Sequence, residues 1–398
     1  MTKQKLWIAT ELFYPEETST SFILSKIANR LASKYDITVL CGEAVYDTSS
    51  SETPAYTLNS DVKVRRIKTI KGNKNKISVR LLRFILLSTA FSWKLLLNTK
   101  KSDKVFIVTN PAPLLFCVSV LKRVRRFDLK ILVHDVFPEN TIPAGIIKNK
   151  KSGYYRILKY LYDWAYAQAN TLIVLGDDMK NAIENKLSNS RKKPNIVIIP
   201  NWAEPSINSK KGERLKMHNV ICIQYAGNLG RVQGLMEFLE IIKDTKNTNL
   251  RFEFVGDGAL KLSMQKFVNE NHLDNVSFRD GYRRNEQQAI INGCDLAVVT
   301  LSRGMKGLGV PSKTYNILAA GRPILYIGDK GSEIGNLVRE KNIGFEFCHL
   351  ESEKILKFLQ SLNIHDLKLL EEMGGRARML AENEYSEDTI LNKFSKTI

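Results

Sequence analysis

The sequence predicts an α/β protein of two doubly wound, Rossmann-like domains facing each other across a cleft. Three observations predict it. Short apolar runs alternate with amphipathic stretches through both halves of the 398 residues. The alternation breaks once, at a polar, basic stretch from Ser206 to His218, and a fresh apolar run follows at Val220. In the second half, glycine-bearing loops come directly after the apolar runs. The expected division is residues 1–203, residues 204–380, and a closing helix at 381–398 that packs back toward the first domain.

In the first half, residues 6–10 read as a buried strand, and 18–33 as a helix carrying Ile23, Leu24, Ile27, Ala28 and Leu31 on one face. Residues 37–41 read as the next strand. This βαβ start implies a parallel sheet. The intervening loop lacks G-x-G-x-x-G, so no dinucleotide cofactor is expected there. A polar loop at 47–60 leads to a strand at 62–67, then to a leucine- and aromatic-rich helix at 81–97. Its longest uncharged stretch, 84–93, is half of the ~20 residues a bilayer requires, so no span is expected. Residues 105–109, 131–133, 171–175 and 196–199 read as further strands, with helices at 114–124, 157–169 and 177–187. In the second half, strands are expected at 220–225, 252–255, 276–278, 295–300 and 323–327, with helices between them and a helical region from Ser332 onward.

Charge is the most informative total. The chain carries a net +19, and residues 62–159 alone hold 23 basic and 4 acidic side chains, so the charge is a patch on the first domain. Apolar helices flanked by basic clusters such as Lys122-Arg123-Val124-Arg125-Arg126 describe a surface that lies on anionic lipid. The stretch shows no nucleic-acid motif, and its apolar helices favour lipid over nucleic acid. The five cysteines, Cys41, Cys117, Cys222, Cys294 and Cys348, have no paired spacing, which reads as reduced thiols and neither a disulfide framework nor a zinc site. Lys3 and Lys5 precede too short an apolar run for a signal peptide.

Candidate chemistry gathers around Gly307-Leu308-Gly309-Val310-Pro311-Ser312-Lys313, between a strand and a helix. The glycines permit tight turns, Pro311 suits a helix start, and Ser312 is expected to cap free amides there. A helix start gathers partial positive charge that favours a phosphate. Lys313 adds a full cation against that dipole, as if an anion belongs between them. The plain alternative is an ordinary loop with a solvated lysine. His134-Asp135, at the end of a strand where doubly wound sheets keep their ligands, offers an acid/base or hydrogen-bonding pair for a hydroxyl, although such a pair is also common as structure.

The residues Pro311-Ser312-Lys313-Thr314-Tyr315-Asn316-Ile317-Leu318-Ala319-Ala320-Gly321, the loop at 226–234, Val255-Gly256-Asp257-Gly258, Ile199-Pro200-Asn201-Trp202 and His134-Asp135-Val136-Phe137-Pro138-Glu139 resemble the GT-B glycosyltransferases of the large retaining group (family 4-like, glycosyl transferases group 1). The likeness covers nearly the whole chain. Within the group it is similar to O-antigen, capsule, lipopolysaccharide and colanic acid enzymes, including the L-fucosamine (FucNAc) type. The resemblance implies a UDP-sugar donor on the second domain and a polyprenyl-diphosphate-linked saccharide acceptor on the first, at the cytoplasmic face of the bacterial plasma membrane. It implies catalytic roles for His134, Asp135, Arg231 and Lys313. Donor contacts would come from Gly227, Asn228, Gly230, Gly256, Gly258, Tyr282, Gly307, Gly309, Ser312 and Asn316. No metal or other cofactor is implied, because Arg231, Lys313 and helix amides would carry the leaving-group charge. Many relatives have a Glu pair spaced E-x7-E where this chain has Leu308 and Asn316, and Glu333 is the expected substitute for one of them. Two alternatives remain at this point: a sugar-nucleotide 2-epimerase of the same fold, and a non-catalytic membrane-associated or nucleic-acid-associated scaffold.

Overall fold

A computed structural model describes residues 3–43, 56–70, 77–204 and 220–398. The expected linker at 206–218, most of the polar loop at 47–60, and Lys71, Lys74 and Lys76 lie outside the described residues.

Two parallel sheets form. The first holds β1 (Gln4–Thr10), β2 (Tyr35–Gly42), β3 (Lys63–Ile67), β4 (Lys104–Val108), β5 (Asp128–Leu132), β6 (Thr171–Val174) and β7 (Asn195–Ile198), in the order β3-β2-β1-β4-β5-β6-β7. The second holds β8 (Ile221–Ala226), β9 (Leu250–Val255), β10 (Val276–Arg279), β11 (Leu296–Thr300), β12 (Ile324–Gly328) and β13 (Gly344–Cys348), in the order β10-β9-β8-β11-β12-β13. The order reverses between β1 and β4, and again between β8 and β11. Those are the crevices in which such sheets take ligands, and the loops that follow these strands line the cleft. The central strands are buried on both faces, as in Leu6 to Ala9 and Leu296 to Val299, because helices cover both sides of each sheet.

Glycine has a steric role at one of these turns in particular. Gly256 sits at φ 145°, and a Cβ there would strike the backbone of Gly227. Without that side chain the loops after β8 and β9 lie against one another, joined from Gly227 N to Val255 O (2.8 Å) and from Leu229 N to Asp257 O (2.8 Å).

Two expectations are corrected. The region after Ser332 is not purely helical: Gly344–Cys348 forms β13, paired to β12 at the sheet edge. All five of its residues are half-buried, so the sequence shows neither an apolar run nor a clean alternation. The helix Ile77–Asn98 is 22 residues long, and by length and composition Ser78–Asn98 is apolar enough to cross a membrane. Packing, and not a shortage of apolar residues, joins it to the first domain. Its buried face (Leu87, Phe91, Leu95) enters the core beside the helix Ala112–Arg125.

The final helix, Glu387–Thr397, belongs physically to the first domain. Ile390, Leu391 and Phe394 are buried in that core, each worth roughly 1.5–3 kcal/mol of apolar burial. Lys26 reaches Glu387 at 2.9 Å, and the Tyr35 hydroxyl donates to the Ile398 carbonyl at 2.9 Å. The chain therefore passes between domains twice. The two passages lie side by side, with Ala203 N donating to Tyr385 O (2.8 Å) and Ala203 bridging Ser386 in parallel.

Candidate functional site

The segment that carries Lys313 begins by gripping the opposite domain. Gly307 N donates to the Asp178 carboxylate (3.1 Å), Val136 N to Leu308 O (2.9 Å), and Asp135 pairs with Gly309 as an antiparallel bridge. Gly307 takes φ 71°, with Asp178 O only 2.6 Å from where a Cβ would lie, so a side chain would push the domains apart. Gly307 and Gly309 thus act in the structure as contact points between the domains.

Beyond them the chain turns into the helix Lys313–Ala319. Ser312 occupies the cap position with helical backbone angles, and its side chain caps nothing. Backbone carbonyls take the amides of that turn, Thr314 N donating to Pro311 O (3.2 Å) and Tyr315 N to Ser312 O (3.3 Å), contrary to the expected Ser312 cap. Lys313 is half-buried as a residue, yet its Nζ is inaccessible and has no hydrogen-bond partner. The ammonium lies over the Tyr225 ring, 3.2 Å from its centroid, and 3.8 Å from a Cβ position at Gly227. Burial holds its pKa well below that of an ordinary lysine. An unpaired buried cation costs stability unless an anion arrives to meet it.

Two adjoining cavities fill the cleft. One, of about 230 Å³, brings together Lys313, Gly227, Asn228, Tyr282, Asn316 and Ser312. The other, of about 210 Å³, holds His134, Asp135, Gly309 and Ser312. Ser19, Ile23, Asn201, Gln233 and Pro311 line both, so a molecule in one lies against a molecule in the other. His134 Nε2 is buried without a partner, and burial lowers its pKa to about 4, so the ring is neutral at neutral pH. Asp135 remains accessible inside the crevice, but its crowded walls raise the carboxyl above the ordinary range; a hydrogen bond with Asn140 and the charge of Arg80 partly offset this.

Other predicted residues lie elsewhere. Arg231 sits in the short turn Arg231–Gln233 with an exposed side chain and contributes to neither cavity wall; Gln233 of that turn contributes to both. Gly230, Gly256 and Gly258 shape the loops behind the cavity and do not line it. Glu333 stands at the seam between domains. Its carboxylate accepts from Asp177 N (2.8 Å) at the start of the helix Asp177–Lys186, while Asp178 accepts from Glu333 N (2.9 Å) at the start of the helix Glu333–Glu340. Each helix start is thus capped by an acid from the other domain. Burial, followed by the charges of Asp178 and Asp177, raises the Glu333 carboxyl to about 7. Between pH 4.5 and 7 the folded protein therefore binds more protons than the unfolded chain, and this contribution to stability is lost as pH rises through that window. In Glu333→Gln, which keeps an acceptor, Tm measured from pH 5 to 8 should lose that part of its downward slope. An unchanged slope would take Glu333 out of the seam.

Sequence reasoning assigned no role to Glu204 or Arg284, both of which line the Lys313 cavity. Arg284 Nε donates to Glu204 at 2.9 Å, its Nη2 donates to the other Glu204 oxygen, and its backbone N reaches the Glu17 carboxylate at 3.3 Å. Asn316 Nδ2 donates to Glu204 Oε1 (2.8 Å), and Glu204 N donates back to Asn316 Oδ1 (3.2 Å). Position 316 carries no acid, yet a carboxylate reaches it from the connection between the domains. The only local signal was the placement of Glu204 just past the turn Pro200–Trp202.

No family model matches the chain. Among curated proteins it is 32% identical over 409 residues to "Probable glycosyltransferase WbjE" of Pseudomonas aeruginosa, covering 99% of this chain and 97% of that one. It is 24% identical to a protein named as the colanic acid biosynthesis glycosyl transferase WcaI of Escherichia coli (strain K12), over 75% and 74% of the two chains. Among solved structures, an E. coli trehalose-6-phosphate protein bound to UDP-2-fluoro glucose superposes with a TM-score of 0.73 at 12% identity, covering 99% and 98% of the chains, which is a likeness of fold. With two parallel-sheet domains closing on a shared cleft and a full-length relative at this identity, the chain belongs to the GT-B glycosyltransferases, the family of WbjE.

Proposed function

We propose that this glycosyltransferase moves a sugar from a UDP-sugar to a saccharide carried on polyprenyl diphosphate, with retention at the anomeric carbon, in the assembly of a bacterial surface polysaccharide such as O-antigen or capsule. One observation carries the reading: the buried Lys313 ammonium has no partner of its own in a cavity that adjoins a second cavity bearing Asp135. In the transfer, the bond from the anomeric carbon to the diphosphate oxygen breaks and its electron pair stays on that oxygen. The acceptor hydroxyl forms the new bond and gives up its proton. Lys313 meets the charge that develops on the diphosphate. Asp135, with neutral His134 beside it, holds the hydroxyl and accepts its proton. Retention rests on the family resemblance, and an N-acetylated hexosamine or deoxyhexosamine donor, the L-fucosamine type included, follows from the same likeness.

The first domain suits an acceptor that sits in a membrane. Leu81, Leu82, Ile85, Trp93 and Leu97 stand exposed on one helix, and Tyr154, Ile157 and Tyr160 on the helix Gly153–Ala167. Exposed Lys94, Arg123, Arg126, Lys150, Lys151 and Arg156 accompany them. Each cation close to an anionic leaflet contributes about 1 kcal/mol, which supports a peripheral seat on the cytoplasmic face.

A panel of nucleotides and nucleotide-sugars tests the donor site without needing an acceptor. UDP at about 100 times its Kd should stabilise the protein by about 2.7 kcal/mol, read as a rise in Tm. No rise with any nucleotide at millimolar concentration would refute the reading. Release of an epimerised UDP-sugar in the absence of acceptor would replace it with an epimerase.

A further inference from the structure

The cavity that holds Lys313 is suited to an anion, yet a carboxylate stands in its wall. Among the described residues its charged lining is Lys313, Arg284 and Glu204. A bare acid there would repel a diphosphate, so the presence of Glu204 calls for a physical reason.

Glu204 holds the helix that carries Lys313. Asn316 lies one turn after Lys313 in the helix Lys313–Ala319, on the same side of it. Its amide is fully engaged with protein. Nδ2 donates to Glu204 Oε1 (2.8 Å) and to Gln287 Oε1 (3.1 Å), while Oδ1 accepts from Glu204 N (3.2 Å). Both N–H groups of that amide are thus spent on fixing the helix. Glu204 is fixed in turn, because Ala203 N before it donates to Tyr385 O (2.8 Å). The Tyr385 ring also packs on Tyr315, with centroids 5.1 Å apart. The helix is therefore held to the connection between the domains at two successive residues, Tyr315 and Asn316. Lys313 Nζ has no hydrogen-bond partner, so its place in the cavity follows from how this helix is set.

Arg284 makes that hold compatible with an anion. Its Nε donates to one Glu204 oxygen at 2.9 Å and its Nη2 to the other, the two-pronged pairing of a guanidinium with a carboxylate. The fork is itself fixed by the first domain. Its plane lies on the Phe22 ring, 3.4 Å from the centroid, and Arg284 N and Nη1 reach the Glu17 carboxylate and carbonyl at 3.3 and 3.5 Å. The Arg284 side chain is only 10% exposed, so solvent screens the pair little. Within the wall the two opposite charges cancel, and the Lys313 cation is left to face the ligand.

We propose that Glu204 is a positioning residue for Lys313, acting through Asn316, and that Arg284 masks the Glu204 carboxylate so that the cavity keeps its attraction for a diphosphate. The assignment rests on the donor site proposed above and adds the two residues that prepare it.

Calorimetry on the full-length protein, with UDP and with inorganic pyrophosphate as probes, tests both roles. Arg284→Met should weaken both probes by about tenfold or more, because it leaves a bare carboxylate in the wall. Adding Glu204→Gln removes that charge and keeps an acceptor for Asn316. It should bring both affinities back to within about threefold of wild type. Adding Glu204→Ala instead removes the same charge together with the partner of Asn316. That double variant should bind both probes about threefold or more weakly than the glutamine one. A loss of packing alone would not be repaired by changing a second side chain. Unchanged binding in Arg284→Met, or no recovery on adding Glu204→Gln, overturns the mask. Equal affinities in the two double variants overturn the positioning role. Should Arg284→Met not fold, Arg284→Gln takes its place in the same comparisons. A wild-type protein that binds neither probe overturns the donor reading and this proposal with it. A wild type that binds both, with variants that break the pattern, overturns this proposal alone.

Discussion

Replacing Lys313 by alanine should lower turnover by about 100- to 1,000-fold, the usual loss when a preorganised charge-stabilising group is removed, while the unliganded protein stays folded and at least as stable. The two effects share one cause. Nζ is buried, over the Tyr225 ring and without a hydrogen-bond partner, so it opposes the unliganded fold and favours the complex with a diphosphate. Because burial lowers the Lys313 pKa, the folded unliganded protein binds fewer protons than the unfolded chain at pH values between that lowered pKa and the ordinary lysine value. Stability without ligand should therefore rise with pH across that interval. An arriving diphosphate restores the charge, so UDP binding should take up protons there. Titration calorimetry in buffers of different ionisation enthalpy measures that uptake, and Lys313→Ala should show less of it. Turnover within tenfold of wild type in the alanine variant would end this account of the donor site.

The second large effect belongs to Asp135. Asp135→Asn should lower kcat by about 100- to 10,000-fold, the range for a positioned proton acceptor, with UDP still raising Tm as it does in the wild type. The carboxyl is raised by its crowded surroundings, which makes it a stronger base than an ordinary aspartate. The pH–rate profile should carry an acidic limb lying above 3.8, the usual aspartate value, with activity rising as Asp135 loses its proton, and the limb should vanish in the variant. His134, neutral down to about pH 4, should add no inflection between pH 5 and 8. A profile unchanged in Asp135→Asn would assign the proton elsewhere.

How much of this site was legible in the sequence depends on how local its physics is. The strand ends were readable because an apolar run followed by Gly, Asn or His-Asp marks the carboxyl edge of a sheet, and Lys313, Asp135, Asn228 and Tyr282 all line the cleft as read. The seam was not. Glu333 and Asp178 are 155 residues apart, and nothing near either one announces that each caps the other's neighbouring helix. The same holds for Glu204, whose carboxylate meets Arg284 and Asn316 from 80 and 112 residues away. Arg231 shows the opposite limit: a cation in a glycine-rich loop reads as a phosphate ligand, but the turn Arg231–Gln233 directs Gln233 to the cleft and leaves Arg231 exposed. β13 escaped because a strand at a sheet edge, half-covered along its length, leaves no periodic trace.

The paired passages at Ala203 and Tyr385–Ser386 bear on how the two lobes move. A lone tether would let them swivel and twist freely. Two backbone segments hydrogen-bonded along each other behave instead as a flat ribbon, pliant to bending across its width and stiff to torsion. Such a pairing favours a clamshell arc over a twist, and that arc would carry Lys313 and Asp135 toward one another.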